Sequence, residues 1–228
     1  MQRGRGSSLD FDDEARKLFA TLGLEPDGTR GGGGWGGMYN PMDPIFRRVD
    51  TGGKIFVGNQ QAASNAAMLK REGVTHVVNC TDSMPLYHEG SFTYYRFNIS
   101  FWPSGANSAQ LLQFLQPMFE FVDAALAAKG SVLVHCLAGA HRAGTTGCLL
   151  LMKYGNLPHA EAVATAKKLR PVIDPIGRFP ELLRRYDAAR PAQPRLQAQA
   201  PQVTAASGER DQNSTAVRNN ARVASLYE

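Results

Sequence analysis

Apolar residues in the middle of the chain follow two alternating spacings. Short runs rich in valine, isoleucine and aromatic residues are typical of buried strands, and they predict strands at 54–58, 76–79, 93–98 and 131–135. Apolar residues at helical spacing predict helices at 64–72, 107–129, 142–154, 159–169 and 179–190. Asn107 or Ser108 can cap the long second helix, and Gly130 stands where a helix commonly ends. The alternation predicts a layered α/β domain.

A further amphipathic helix is predicted near the N-terminus, from Asp10 to Leu24. Acidic residues crowd its first turn, where the helix dipole favours negative charge. An apolar stripe follows one face and consists of Phe11, Ala15, Leu18, Phe19 and Leu22. We expect this stripe to be buried either against the chain's own core or against a protein partner.

The composition divides the chain into four segments. Residues 1–27 hold a polar lead and the N-terminal helix, and residues 28–45 form a glycine-rich linker. The linker lacks the preceding strand and the Lys-Ser/Thr pair of a nucleotide-binding loop. Residues 46–190 carry the α/β pattern and are expected to form the folded domain that holds any chemistry, and residues 191–228 lack apolar periodicity and are expected to be a disordered tail.

Charge and cysteine content narrow the class of protein. The net charge is +5, without a basic stripe interleaved with aromatics, so we expect phosphorylated partners and not nucleic acid. The three cysteines are sparse and show no metal-ligand spacing, and no apolar run is long enough to span a membrane. We expect a cytoplasmic or nuclear protein that needs no metal or other cofactor.

The most informative segment is residues 135–142, HCLAGAHR, which directly follows the predicted strand 131–135. A cysteine six positions before an arginine, where a strand gives way to a helix, lets backbone N–H groups of residues 137–142 curl around an oxyanion. The helix N-terminus and adjacent cations favour the thiolate form of Cys136. Arg142 offers a planar pair of donors that can hold two phosphate oxygens. These residues predict a cysteine nucleophile and a phosphate-binding loop made of Leu137, Ala138, Gly139, Ala140, His141 and Arg142.

The motif, together with flanking segments at 54–65, 73–80 and 170–175, resembles the cysteine-dependent protein tyrosine phosphatases, in particular their small dual-specificity branch. The resemblance covers roughly residues 52 to 189. It implies a three-layer fold with a central mixed or parallel sheet of about four to five strands flanked by helices. It also implies that His135 orients the loop through hydrogen bonds. In some relatives a cysteine placed like Cys80 forms a disulfide with the nucleophile, and simple burial of Cys80 is the alternative. Cys148 is expected in the core.

Two departures from the family pattern affect the expected chemistry. The family carries a general-acid aspartate about thirty residues before the cysteine, and here the corresponding residue of the acid loop is Ser104. A serine hydroxyl is not an acid near neutral pH. The family also places a serine or threonine after the arginine to stabilise the departing thiolate, and here Ala143 stands there.

Three residues are candidates for a substitute acid. An imidazolium at His141 can in principle protonate a leaving group, but we expect its side chain to point into solvent at the rim of the pocket. Asp82 follows the second predicted strand, and Asp174 lies in the closing segment near the pocket of relatives. Turn-forming or capping roles are the alternative for both.

Two functions from different classes follow. The first is dephosphorylation of phosphoproteins through a cysteinyl-phosphate intermediate, with weak activity and a preference for phosphotyrosine, since an aryl leaving group needs little protonation. The second is a catalytically impaired phosphatase that binds phosphorylated proteins. Retention of Cys136 favours the first, and Ser104 and Ala143 favour the second.

Overall fold

A five-stranded sheet forms the centre of the protein, and the computed structural model describes residues 9–25 and 39–191. The strands are β1 (Met42–Arg47), β2 (Lys54–Gly58), β3 (Val74–Asn79), β4 (Thr93–Arg96) and β5 (Ser131–His135). Their order across the sheet is β1-β2-β5-β3-β4. Strand β1 pairs with β2 in the antiparallel sense, and the other pairs are parallel. Strand β5 therefore lies at the centre, and its C-terminal end is the point where the phosphate loop begins.

Seven α-helices are found within the described residues. They are α1 (Phe11–Thr21), α2 (Gln60–Ser64), α3 (Ala66–Arg71), α4 (Ser108–Ala127), α5 (Arg142–Tyr154), α6 (His159–Leu169) and α7 (Phe179–Ala189). In this part of the chain no helix is both long and apolar enough to cross a membrane.

Helices cover the sheet on both faces, because alternate strand residues point to opposite sides. On one face Val57, Val78 and Val134 join the large core formed with α4, α5, α6 and α7. On the other face Phe56 and Leu133 pack with α2 and α3 in a smaller cluster. The predicted three-layer α/β architecture with a mixed sheet is therefore confirmed.

Most predicted elements are confirmed, and the strands at 54–58 and 131–135 and the helices at 142–154 and 159–169 have the predicted ends. The helix predicted at 64–72 is instead two short helices, α2 and α3. Asn65 separates them because its side chain accepts a hydrogen bond from Met68 N–H and starts α3. Asn107 caps α4 as predicted, in a reciprocal capping box with Gln110.

Strand β1 was not predicted, and its first residues fall in the segment interpreted as linker. Pairing with β2 supplies hydrogen bonds to a segment whose own sequence alternates poorly. Most of the predicted linker, residues 26–38, and the predicted tail from residue 192 onward lie outside the described residues.

The end of α4 also differs from the prediction. Lys129, not Gly130, adopts the left-handed conformation, with φ of 61°. Gly130 is instead closely packed, since a Cβ atom there would lie 2.1 Å from Thr75 Oγ1.

Candidate active site

Residues 136–141 form a tight loop between the end of β5 and the start of α5. Cys136 is the first residue of the loop and is 2% exposed. Arg142, the last residue of the motif, is the first residue of α5. The strand-to-helix junction expected from the sequence is therefore present, and the N-terminal end of α5 faces the loop.

The loop carbonyl groups are held from outside by other backbone and side-chain donors. Gln60 N–H donates to Leu137 O at 3.1 Å, and Asp174 N–H donates to Ala140 O at 3.1 Å. Thr145 bonds His141 O through both its N–H and its hydroxyl. The loop conformation thus depends on α2, on the segment before α7 and on α5 itself.

Arg170 holds two further loop carbonyls. Its side chain is 1% exposed, and it donates to Gly139 O at 3.0 Å and to Ala138 O at 3.2 Å. Its charge is balanced by Asp43 of β1 at 2.6 Å. A buried guanidinium with a paired carboxylate is costly to leave unsatisfied, so this network is specific for the observed loop conformation.

Tyr39 completes the outer support. Its hydroxyl donates to Ala138 O at 2.9 Å and accepts from Asn59 Nδ2 at 3.0 Å. Burial raises the pKa of Tyr39 to about 12. The hydroxyl therefore stays protonated and remains a donor at neutral pH.

With its carbonyl groups directed outward, the loop turns its N–H groups toward a common centre, because the N–H and C=O of one peptide unit point in opposite directions. Gly139 makes this turn with φ of 65°, and a Cβ atom there would lie 2.5 Å from Gly58 O. Within residues 9–25 and 39–191 the amides of residues 137–142 donate to no acceptor. Such a nest at a helix N-terminus is suited to a tetrahedral oxyanion.

The guanidinium of Arg142 is buried beside Cys136. Burial acts to lower the pKa of Arg142, but the negative charges of Cys136 and Asp12 outweigh it and the pKa is raised. Asp12 of α1 accepts a hydrogen bond from Arg142 Nη2. Arg142 Nε is buried and has no partner within the described residues. The guanidinium therefore keeps donor capacity for a phosphate.

His135 is fully buried and electrically neutral. Burial lowers its pKa to about 3. The resemblance implied that its ring orients the loop through hydrogen bonds. The backbone of Cys136 opposes the lowering of the His135 pKa as a hydrogen-bonding group does, although neither ring nitrogen meets a partner at full hydrogen-bond geometry within the described residues. Its backbone does contribute, because His135 O accepts from Cys80 N–H at 2.8 Å and so ties β5 to β3.

The candidate substitute acids are in three different environments. His141 does not point into solvent: it is buried, and its Nδ1 lies 2.8 Å from Asp174 O, which can only accept, so Nδ1 carries the hydrogen. Its Nε2 is buried without a partner in the described part of the chain. The Asp174 carboxylate is 52% exposed and pairs with Lys167 at 2.8 Å. Asp82 is exposed in the bend after β3.

The acid-loop position is immobilised by two arginines. Ser104 accepts a hydrogen bond from Arg178 Nη1 at 2.7 Å, and its carbonyl accepts from Arg185. Both guanidinium groups lie against the ring of the buried Trp102, at 5.7 and 5.6 Å. A positively charged pair of side chains thus occupies the surroundings of Ser104.

The residue after Arg142 and the two other cysteines are buried. Ala143 is fully buried in the core, so no hydroxyl stands directly after the arginine. Thr146 bonds back to Arg142 O and lies 3.4 Å from Cys80 Sγ. Both Cys80 and Cys148 are free and buried, which raises the pKa of each thiol and confirms Cys148 as a core residue.

Sequence reasoning did not single out Arg170, Tyr39 or Asp12 as residues of this site. Arg170 and Tyr39 act on loop carbonyls 31 and 99 residues away along the chain. The arginine at the end of α6 is a weak signal, since an arginine at a helix C-terminus is ordinarily explained by the helix dipole. The acidic residues in the first turn of α1 were likewise explained by the helix dipole, which favours negative charge at a helix N-terminus.

Comparison with known proteins agrees with this geometry. Residues 55–189 match the sequence model of the dual specificity phosphatase catalytic domain. The chain therefore belongs to the dual-specificity phosphatase family, a class of protein phosphatases.

Among similar proteins, human dual specificity phosphatase 28 is 31% identical over 165 residues, which cover 72% of this chain and 90% of that protein. Mouse dual specificity protein phosphatase 19 is 31% identical over 136 residues, 60% of each chain. The crystal structure of human DUSP28 superposes with a TM-score of 0.55 at 27% identity, covering 66% of this chain and 95% of that one. A mouse putative dual specificity phosphatase complexed with zinc tungstate gives 0.54 at 25% identity, covering 69% and 93%.

Proposed function

We propose that this protein dephosphorylates phosphoproteins through a cysteinyl-phosphate intermediate on Cys136. The supporting observation is the loop whose carbonyls at residues 137–141 are hydrogen-bonded from outside while its amides and Arg142 converge beside the cysteine. Cys136 Sγ attacks phosphorus in line, the P–O bond to the leaving group breaks, and the amides bind the equatorial oxygens. Water then attacks phosphorus, which returns the thiolate and releases inorganic phosphate.

Phosphotyrosine is the favoured substrate of this proposal. The side chain at the acid-loop position, Ser104, donates no proton at neutral pH and is bonded to Arg178. A phenolate leaves with little protonation, whereas the alkoxide of serine or threonine requires it. His141 is the substitute acid of this proposal, because it lies buried within the loop, whereas the carboxylates of Asp82 and Asp174 are exposed.

A second candidate function is phosphate-dependent binding without turnover. The fully buried Ala143 favours it, since the departing thiolate lacks the usual hydroxyl donor there. We propose a cytoplasmic or nuclear location under either function, on the ground of the three sparse cysteines.

Hydrolysis of a series of aryl phosphates by the wild type and by Cys136→Ser tests the first proposal. We expect Cys136-dependent hydrolysis that falls steeply as the phenol becomes a poorer leaving group, with a phosphocysteine trapped by rapid acid quench. A Cys148→Ser variant is the matched control and should retain activity. Equal inertness of wild type and Cys136→Ser, with phosphopeptide binding by both, would replace catalysis by the binding function.

His141→Ala tests whether His141 is the general acid, with the same series of aryl phosphates. If His141 donates the proton, its loss lowers the rate more for poor leaving groups than for good ones. Equal losses across the series would exclude that role.

A further inference from the structure

Helix α1 covers the phosphate loop from the solvent side. Its buried residues Ala15 and Phe19 form one apolar cluster with the loop residues Leu137, Ala138 and Ala140. The apolar stripe of α1 is therefore buried on the chain's own active-site loop, which decides between the two alternatives left open by the sequence. The loop backbone and Cys136 are correspondingly inaccessible.

The charged end of α1 occupies the phosphate-binding arginine. Asp12 Oδ1 accepts a hydrogen bond from Arg142 Nη2, and the two side chains are 34% and 7% exposed. A carboxylate oxygen accepts a hydrogen bond from a guanidinium as a phosphate oxygen does, and here one oxygen of Asp12 accepts from one nitrogen of Arg142. Asp12 and a substrate phosphate thus compete for the Nη2 donor of Arg142, whereas Nε has no partner within the described residues.

An aromatic contact fixes the same end of the helix. The ring of Phe11 stacks on Phe179 with centroids 4.7 Å apart and an interplanar angle of 17°, and it lies 5.8 Å from Arg142 Cζ. Leu9 packs close to Gly177, where a Cβ atom would lie 2.9 Å from Leu9 Cδ2. Gly177 and the first residue of α7, Phe179, therefore contact the residues at which α1 begins.

We propose that α1 is an internal pseudosubstrate: Asp12 stands in for the phosphate at Arg142, and a phosphorylated partner must displace α1 before Cys136 can react. The proposal rests on the proposed function, because it names what regulates that same site. A substrate phosphate carries up to two negative charges against one on Asp12, so it competes favourably once its flanking residues also find contacts.

Two variants of the full-length protein loosen α1 by different means. Asp12→Ala removes the competing carboxylate and places alanine, a good helix former, in the first turn. Phe19→Ala removes apolar burial on the loop without changing any charge. The matched controls are Asp13→Ala, which removes an exposed carboxylate paired with Arg16, and Phe101→Ala, which removes a ring that is 71% exposed.

Two measurements distinguish the accessibility of Cys136 from the hydrolysis of a substrate. The first is the rate of alkylation of Cys136 by iodoacetamide, followed by mass spectrometry of its peptide, with the buried Cys80 as an internal reference for general unfolding. The second is kcat/KM for an aryl phosphate. We expect both to rise roughly five- to tenfold in Asp12→Ala and Phe19→Ala and to stay at wild-type values in the controls.

The remaining outcomes are distinguishable. Unchanged alkylation of Cys136 in both variants would overturn the proposal even if the wild type hydrolyses aryl phosphates. Loss of hydrolysis in Asp12→Ala, largest for poor leaving groups, would also overturn it and make Asp12 a proton donor. If alkylation of Cys136 is faster in Asp12→Ala and Phe19→Ala but no variant shows Cys136-dependent hydrolysis, the covering of the loop by α1 is supported. The proposed function is then overturned instead.

Discussion

A single buried side chain, Arg170, holds much of the phosphate loop in its conformation. It bonds two consecutive loop carbonyls and is neutralised by Asp43. Because peptide N–H and C=O groups are antiparallel, fixing the carbonyls outside fixes the amides inside. Arg170 is thus a positioning residue, which bonds only loop carbonyls and Asp43 but sets where the loop amides that we propose to bind phosphate lie.

Replacing Arg170 with lysine is expected to lower both stability and activity. An ammonium group cannot bond Ala138 O, Gly139 O and Asp43 in the same planar geometry. Loss of one or two charge-assisted hydrogen bonds costs about 2–4 kcal/mol in the free energy of unfolding, measured by urea denaturation. Misplacement of the loop should lower kcat for an aryl phosphate at least about tenfold, with a smaller change in KM. Arg184→Lys, the same change at an exposed site of α7, should alter neither quantity.

His135 predicts a specific pH dependence of stability. Burial holds its pKa at about 3 in the folded protein, whereas an unfolded histidine titrates near about 6.5. As the pH falls below 6.5 the unfolded chain binds a proton that the folded protein does not, so the free energy of unfolding falls with pH.

Between pH 6.5 and 5.0 this effect amounts to about 2 kcal/mol. His135→Asn removes the titrating group, so the variant should lose about 2 kcal/mol less than the wild type over the same interval in urea denaturation. Parallel curves for the two proteins would show that His135 is not neutral in the folded state.

At the scale of elements, the close approach of the phosphate loop to β2 depends on Gly139. A side chain at this residue meets Gly58 O at 2.5 Å and also requires a left-handed backbone. Gly139→Ala should therefore lower the melting temperature by several degrees and abolish Cys136-dependent hydrolysis. Gly105→Ala is the matched control, because open space surrounds its Cβ position. Normal activity of Gly139→Ala would show that the loop tolerates displacement from β2.

The positive charge of Arg178, which directly precedes α7, lies beside the acid-loop residue Ser104 and opposes acid catalysis there. Arg178 donates to Ser104 Oγ, so an aspartate introduced there would be held in its ionised form by the guanidinium. Ser104→Asp alone should therefore raise the hydrolysis of poor leaving groups by less than about threefold. Combining Ser104→Asp with Arg178→Gln frees the carboxyl group, and we expect a gain of at least about tenfold over Arg178→Gln alone. A large gain in the single variant would place Arg178 away from the new carboxyl group.

On the scale of the whole molecule, α1 is bound to the remainder mainly through the loop it covers. Its contacts are the apolar cluster around Phe19, the Phe11–Phe179 stack and one ion pair, whereas β5 is paired on both sides in the centre of the sheet. An element with few buried contacts opens at lower free energy than a central strand.

Hydrogen exchange should resolve this difference. In Phe19→Ala the amides of α1 should exchange at least about tenfold faster than in the wild type, while those of β5 keep their protection. Phe101→Ala, the same truncation at an exposed site, should leave both sets unchanged. Equal acceleration of α1 and β5 would mean that α1 opens only with global unfolding.

The local pattern of the chain was sufficient for most elements and for the phosphate loop. Strand β5, the loop and α5 are consecutive, and their hydrophobic period and the Cys136 to Arg142 spacing are properties of neighbouring residues. The family resemblance predicted the three layers, with a central sheet between helices. The same local reasoning missed β1, whose formation depends on pairing with β2 and not on its own pattern.

Tertiary structure alone decided which distant residues complete the site. Tyr39, Arg170 and Asp12 reach the loop only because the strand order places β2 and β5 side by side and because α1 folds back over the loop. Such contacts have no sequence period, since they depend on the packing of elements separated by up to 130 residues. The sequence by itself determined the strand, loop and helix around Cys136 and Arg142, because these residues are neighbours along the chain. The packing determined which residues hold the loop carbonyls and which helix covers the loop.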